Sequence, residues 1–277
     1  MSTNFADYKN IWVYAEQRDG KLMNVALELI GEGHKLSRDI SADTKVCALI
    51  VGNNIGHLAQ ECFEYGADQV YLIEDPLLEN FTTDGYTKVI SDAIVEYKPE
   101  IVMYGATHIG RDLAPRVAAR MDTGLTADCT HLDVKVANYI KFAEENTTLN
   151  TSTLDPADPD TGLKMTRPAF GGNVMATIRC ADYRPQMATV RPGVMKKIAP
   201  VAGKQGTVEE FKVEFTPEDM NVTIKEVVKD TKKAVDITEA KVLVSGGRGI
   251  GSPEFFGELK KVADLLGGEI SSSRANV

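Results

Sequence analysis

The chain has 277 residues, of which 43% are hydrophobic and 26% are charged, and its formal net charge at pH 7 is −9. This is the composition of a soluble globular protein with room for two domains, and no apolar run approaches the roughly 18 residues that a membrane span requires. The excess of acidic residues argues against nucleic-acid binding, which depends on concentrated positive charge.

The first ten residues, MSTNFADYKN, contain no basic region followed by an apolar stretch, so they do not form a secretory signal. We therefore expect a cytoplasmic protein. The four cysteines, Cys47, Cys62, Cys129 and Cys180, are far apart and form no Cys-x-x-Cys pair. We expect reduced thiols packed as small apolar groups rather than ligands of a metal site.

From residue 10 to about residue 125, short apolar runs alternate with stretches of helical period. Strands are predicted at 11–15, 45–52, 69–73 and 100–106, and helices at 22–30, 57–66 and 86–97. Strands that are apolar on both faces and separated by helices indicate a parallel sheet covered on both sides. This part of the chain is predicted to be an α/β domain.

After residue 125 the segments become strand-like, with period-two alternation and turns rich in Gly, Pro and Asp. The predicted strands lie at 131–136, 139–145, 164–170, 173–180, 187–193, 208–215 and 221–227. We expect them to complete the sheet of the first domain with antiparallel or mixed pairing. The domain boundary is predicted at the charged linker 229–240.

Residues 241–277 return to the α/β pattern. A strand is predicted at 241–244, followed by a helix with Ser252 as N-cap and Pro253 at its first position. The glycines at 267–268 end this helix, and EISSSRANV is the next strand with the turn that leaves it. About 40 residues cannot bury enough apolar surface to fold alone, so we expect this segment to be the least ordered part of the isolated chain.

The turn GGRGIG places glycines at every second position, at Gly247, Gly249 and Gly251, which is not the Gly-x-Gly-x-x-Gly spacing of dinucleotide-binding turns. Glycines nevertheless allow a ligand to approach the backbone, and Arg248 adds a permanent cation at the start of a helix. The alternative is a tight turn with a solvated arginine.

The segment SSSRANV repeats this arrangement at the end of the next strand, with three hydroxyls and Arg274. Ligands of open parallel sheets bind outside the carboxyl ends of the strands. Two arginines at adjacent strand ends suit an anionic cofactor.

Arg111 lies near a predicted helix start, where its charge opposes the helix dipole. We expect it in a buried or partly buried ion pair, with Asp112, Asp128 or a carboxylate of another chain, rather than in a catalytic pocket. No histidine stands at a spacing typical of a catalytic base.

Arg-Pro occurs at residues 167, 184 and 191, each time at an apparent strand edge. Edge protection explains the prolines, because proline limits ladder hydrogen bonding, but it does not explain the arginines.

Taken together and in order, several segments resemble the alpha (large) subunit of electron-transfer flavoprotein, especially the form from anaerobic bacteria. These segments are YGAT..GRDLAPRVAAR.DTGLTADCT, TRPAFGGN..ATI, RPQMATVRPGVM, and VSGGRG followed downstream by SSSRA. The resemblance implies a heterodimer with a beta subunit, in which alpha contributes a nucleotide-binding-like α/β domain and then a flavin domain. It also implies that Arg248, Ser273 and Arg274 contact FAD, where a cation favours the reduced, anionic flavin.

The predicted fold class is therefore α/β, with a parallel-sheet N-terminal domain that has additional strands, followed by the start of a doubly wound flavin-binding domain. The predicted divisions are an N-terminal domain at 1–228 that contacts the beta subunit, a linker at 229–240 and an incomplete FAD-binding domain at 241–277. The last is expected to be incomplete because the family's flavin domain continues further.

By the resemblance, the chain is an electron-carrier subunit that passes electrons through FAD to or from an acyl-CoA dehydrogenase. The similarity to the anaerobic form further suggests a flavin-based bifurcating complex, with NADH as donor and ferredoxin as second acceptor. Two alternatives are a nicotinamide-dependent dehydrogenase and a nucleotide-binding assembly module without a redox role. The glycine spacing and the lack of an acid/base pair disfavour the dehydrogenase.

Overall fold

The computed structural model describes residues 5–228, 237 and 240–273. The chain divides into two compact units, residues 1–223 and 224–277. Most of the predicted linker 229–240 lies outside the described residues, so that prediction remains open. Within the described ranges, no helix combines the length and apolar character that a bilayer crossing requires.

The N-terminal unit contains twelve described strands and five α-helices. The helices are α1 (Asn24–Ile40), α2 (Ala59–Glu64), α3 (Thr83–Tyr97), α4 (His108–Arg120) and α5 (Val136–Asn146). The strands are β1 (Ile11–Tyr14), β2 (Gln17–Arg18), β3 (Lys21–Leu22), β4 (Val46–Gly52), β5 (Gln69–Glu74), β6 (Ile101–Gly105), β7 (Leu125–Cys129), β8 (His131–Asp133), β9 (Lys164–Ala169), β10 (Val174–Ile178), β11 (Gln186–Val190) and β12 (Thr207–Glu210).

Seven of these strands form one sheet in the order β12-β5-β4-β1-β6-β11-β7. Every neighbouring pair is parallel. The central strands β1, β4, β6 and β11 are buried along their whole length, as expected for strands covered on both faces. In β11 the buried polar side chains of Gln186 and Thr189 have hydrogen-bond partners. One core cluster joins the sheet to α1 and α2, and a second joins it to α3 and α4. The predicted α/β fold class is confirmed.

Three of the predictions made for the residues after 125 were wrong, one on strand pairing and two on the presence of a strand. β7, β11 and β12 join the main sheet as parallel strands, whereas antiparallel β8, β9 and β10 form a separate sheet. The predicted strand 139–145 lies in α5, whose Ala and Glu residues favour a helix. The predicted strand 221–227 contains no strand.

The C-terminal unit contains β13 (Leu243–Gly246), α6 (Phe255–Leu266) and β14 (Glu269–Ser272), with β13 and β14 parallel. Gly267 takes the left-handed conformation that ends α6, as predicted. Ser252 is not the N-cap, because α6 begins three residues after it and the chain turns between them.

Candidate functional site

The turn that follows β13 is shaped by two of its glycines. A Cβ at Gly246 would lie 2.8 Å from the Ile250 side chain and 2.9 Å from that of Leu259, so this position packs closely against α6. Gly251 has a φ of 78°, which disfavours other residues. Close packing therefore explains the glycine at position 246, and the backbone conformation explains the glycine at position 251.

The other two glycines of the turn, Gly247 and Gly249, are not explained by the internal packing of the unit. A Cβ at Gly247 would meet only the Ser273 Oγ, at 3.9 Å, and a Cβ at Gly249 would meet nothing within 4 Å. Packing therefore does not require glycine at either position. A ligand that approached the backbone closely would require it, so the turn fits a bound group such as the cofactor that the resemblance implies.

Of the predicted site residues, Arg248 lies within this turn and Ser273 lies beside it. Arg248 is exposed and has no ion-pair partner among the residues that the structure describes. The Ser273 amide donates to the Gly246 carbonyl oxygen at 3.2 Å, which brings the end of β14 next to the end of β13. Arg274, the third predicted residue, lies outside the described residues. The site thus offers open backbone, a cation and a hydroxyl at adjacent strand ends, which suits an anionic group.

At the main sheet, by contrast, the polar groups beyond the carboxyl ends of the strands bind one another. The buried Glu16 carboxylate accepts from Arg18 at 2.9 Å and from the Thr107 hydroxyl at 2.5 Å. Glu74 accepts from the backbone amides of Ile55 and Gly56. A phosphate would need these same amides, so we place the candidate cofactor site at the glycine turn and not here.

An arginine cluster surrounds Asp128 in the N-terminal unit. Arg191 donates two hydrogen bonds to the Asp128 carboxylate, at 2.7 and 3.2 Å, and Arg111 lies 3.6 Å from it. The hydrogen bond from Arg191 lowers the pKa of Asp128 against the opposing effect of burial, with further lowering by Arg111 and Arg167. The predicted pairing of Arg111 with Asp128 is confirmed. Its predicted burial is wrong, since the Arg111 side chain is 60% exposed on the outer face of α4.

The sequence analysis did not predict that Arg167 and Arg191 both lie near Asp128, although it noted that each arginine precedes a proline. The third such arginine, Arg184, has a structural role: it pairs with Glu100 at 2.7 Å and stacks on the Phe5 ring. Arg167 and Arg191 instead line one surface cleft.

The cysteines form no disulfide and remain free thiols. Burial raises the pKa of Cys47, Cys62 and Cys129 to about 12, so these thiols are protonated and inert at neutral pH, as expected. Across the described ranges, no three His, Cys, Asp or Glu side chains are grouped so that they could hold a metal ion.

Two families of known sequences match the chain. One, described as the electron transfer flavoprotein domain, matches residues 11–216, and the other, described as the electron transfer flavoprotein FAD-binding domain, matches residues 236–277.

Individual relatives match along nearly the whole chain. The electron transfer flavoprotein subunit alpha of Thermoanaerobacterium thermosaccharolyticum is 48% identical over 274 residues, which cover 98% of this chain and 74% of the relative. The electron transfer flavoprotein subunit alpha of Clostridium acetobutylicum is 47% identical over 277 residues, which cover 99% of this chain and 75% of the relative. The acryloyl-CoA reductase electron transfer subunit beta of Anaerotignum propionicum is 45% identical over 284 residues, covering 99% and 77%.

Proposed function

Since this chain belongs to the electron transfer flavoprotein family, as a homologue of its alpha subunits, we propose that it carries electrons to or from an acyl-CoA dehydrogenase. Its C-terminal segment matches the family's FAD-binding domain, and FAD is the cofactor. The chain is proposed to act as an electron-carrier subunit and not as a stand-alone enzyme.

The observation that carries the proposal is the open glycine turn. Gly247 and Gly249 leave the backbone accessible, while Arg248 and Ser273 supply a cation and a hydroxyl at the neighbouring strand ends. These residues would hold FAD, which supplies one- and two-electron transfer when bound. The chain's own contribution is to bind the cofactor and to place positive charge near it.

A heterodimer with a beta subunit is the second part of the proposal. The three relatives reported above are named as subunits. In addition, β10 is an edge strand with exposed Val174, Met175 and Ile178 side chains. A groove of about 750 Å³ lies between β10 and α5, with Tyr139 and Phe142 in its walls. Exposed apolar surface of this kind is typical of a protein contact.

The third part concerns the electron route. One relative is named as an electron transfer subunit of acryloyl-CoA reductase, which supports a dehydrogenase that acts on acyl-CoA. We propose a cytoplasmic, flavin-based bifurcating complex with NADH as donor and ferredoxin as second acceptor, supported by similarity to subunits from anaerobic bacteria. The dehydrogenase and assembly-module alternatives are disfavoured by the family membership.

Co-expression of the chain with its beta subunit tests the proposal. The purified complex is expected to absorb in the flavin bands, and its native mass with a flavin count is expected to show one copy of each subunit with bound FAD. A colourless complex, or the absence of any complex, would contradict it. Reduction of the bound flavin by NADH, followed by transfer to ferredoxin and an acyl-CoA dehydrogenase, tests the electron route.

Arg248→Gln is expected to lower the reduction potential of the bound flavin by about 30 mV, corresponding to about 1.4 kcal/mol for two electrons. The reason is that the guanidinium stabilises the added negative charge. Spectroelectrochemical titration of the complex measures the shift. Lys261→Gln is the control, because Lys261 lies on the exposed side of α6, 71% exposed and paired with Glu258. Equal potentials in Arg248→Gln and the unsubstituted complex would contradict the electrostatic role.

A further inference from the structure

We infer that the tip of the β9–β10 hairpin, centred on Phe170, is an anchor that inserts into an apolar, acid-rimmed pocket of a partner protein. Resting on the proposed function, this inference identifies that partner as the beta subunit. The hairpin tip consists of Phe170, Gly171 and Gly172, between Ala169 at the end of β9 and Val174 at the start of β10.

The Phe170 side chain is 84% exposed, an unusual position for a phenyl ring. Its backbone is left-handed, with a φ of 49°, a conformation that bulky residues rarely adopt. Gly171 and Gly172 follow with φ of 68° and 90°, and a Cβ on either would meet nothing within 4 Å. The turn geometry therefore holds the ring away from the protein. The turn itself is closed by the backbone amide and the side-chain amide of Asn173, which donate to the Phe170 carbonyl oxygen at 3.4 and 3.0 Å, and neither bond involves the ring.

The surroundings of this ring are positively charged. A cleft of about 340 Å³ beside the turn is lined by Arg167, Arg191 and the hairpin tip. The Arg167 Nε is buried and has no hydrogen-bond partner in the part of the chain that the structure describes. Arg111, Arg167 and Arg191 all act on the single carboxylate of Asp128, so the cluster keeps a net positive charge.

The positive charge of this cluster favours a partner protein with an acidic surface. Carboxylates on the opposing surface would complete the hydrogen bonding of Arg167 and neutralise the cluster. A symmetric dimer of this chain with the two hairpins face to face would bring two positive clusters together, and like charges in contact oppose association. Nucleic acid is disfavoured by the net charge of −9. Phenylalanine and arginine are both enriched at protein–protein interfaces, which favours a protein partner.

Phe170→Asn is the direct test, measured on the FAD-loaded complex with its beta subunit. Asparagine tolerates the left-handed backbone, so the substitution removes the ring without changing the turn. The dissociation constant of the heterodimer, measured by dilution and native mass spectrometry, is expected to rise about 30-fold. The melting temperature of the isolated chain is expected to stay the same or rise, because a side chain that is 84% exposed contributes little to the stability of the fold.

Leu77→Asn is the matched control, since Leu77 is 51% exposed in the same unit and far from the hairpin in sequence. It is expected to leave the dissociation constant unchanged. Arg167→Gln is expected to weaken the complex and to reduce the salt dependence of its association rate.

A dissociation constant for Phe170→Asn within threefold of the unsubstituted complex would overturn the inference. So would a homodimer of the chain that Phe170→Asn disrupts. If the unsubstituted chain forms no complex with the beta subunit, the proposed function fails first, so the two failures are distinguishable.

Discussion

Lys164→Met is expected to lower the free energy of unfolding of the N-terminal unit by about 3–5 kcal/mol, measured by urea denaturation. The Lys164 side chain is only 4% exposed, and its ammonium donates to the carbonyl oxygens of Val134 and Gly162 and to the Asp160 carboxylate, at 2.8–2.9 Å. Methionine fills a similar volume but leaves these acceptors unpaired. The ammonium thereby fixes the end of the 147–163 loop where it enters β9.

Lys135→Met is the matched control in the same unit. Lys135 is 49% exposed and pairs with Asp39 at 3.1 Å, so its loss is expected to cost no more than about 1 kcal/mol. A loss below 1 kcal/mol for Lys164→Met would show that the loop does not depend on the buried ammonium.

The ion pair between Lys164 and Asp160 also predicts how the stability of the N-terminal unit depends on pH. Burial raises the pKa of Asp160, but the hydrogen bond and charge of Lys164 outweigh it, so this pKa lies below its usual value. A depressed carboxylate pKa contributes stability above about pH 4, and this contribution is lost as the pH falls through the native pKa. The difference between the Lys164→Met and unsubstituted proteins is therefore expected to shrink below pH 4.

Gly110→Ala is expected to destabilise the N-terminal unit by about 3 kcal/mol or more. A Cβ at this position would lie 1.8 Å from the carbonyl oxygen of Gly105, so the first turn of α4 would have to move away from β6. That movement would also strain the cap of α4, in which Thr107 accepts from the Gly110 amide at 3.0 Å and donates to Glu16.

Thermal or urea unfolding of the full chain measures this loss. Gly257→Ala provides the control, because Gly257 lies in α6 with open space around it and alanine favours a helix. It is expected to be neutral or slightly stabilising in its own unit. If Gly110→Ala behaved like Gly257→Ala, the close approach of α4 to β6 would be wrong.

The sequence by itself determined the main α/β core, and it predicted where the candidate cofactor site lies. Strands such as β4 are apolar at every position, and that local pattern is sufficient to predict burial on both faces. The glycine turn was likewise visible, because Gly247, Arg248 and Gly249 are contiguous in the chain.

The tertiary structure alone decided how the later strands pair and which arginines act together. β9 and β10 alternate in the same way whether they extend the main sheet or form their own. β11 lies between β6 and β7, and its parallel pairing depends on these two strands, which are far from it in the chain. Arg111, Arg167 and Arg191 are separated by up to 80 positions, and only the packing of α4 and β9 beside the end of β11 brings them to Asp128. Local propensity reports the environment of one segment, whereas pairing and charge clusters depend on contacts between segments that are far apart in the chain.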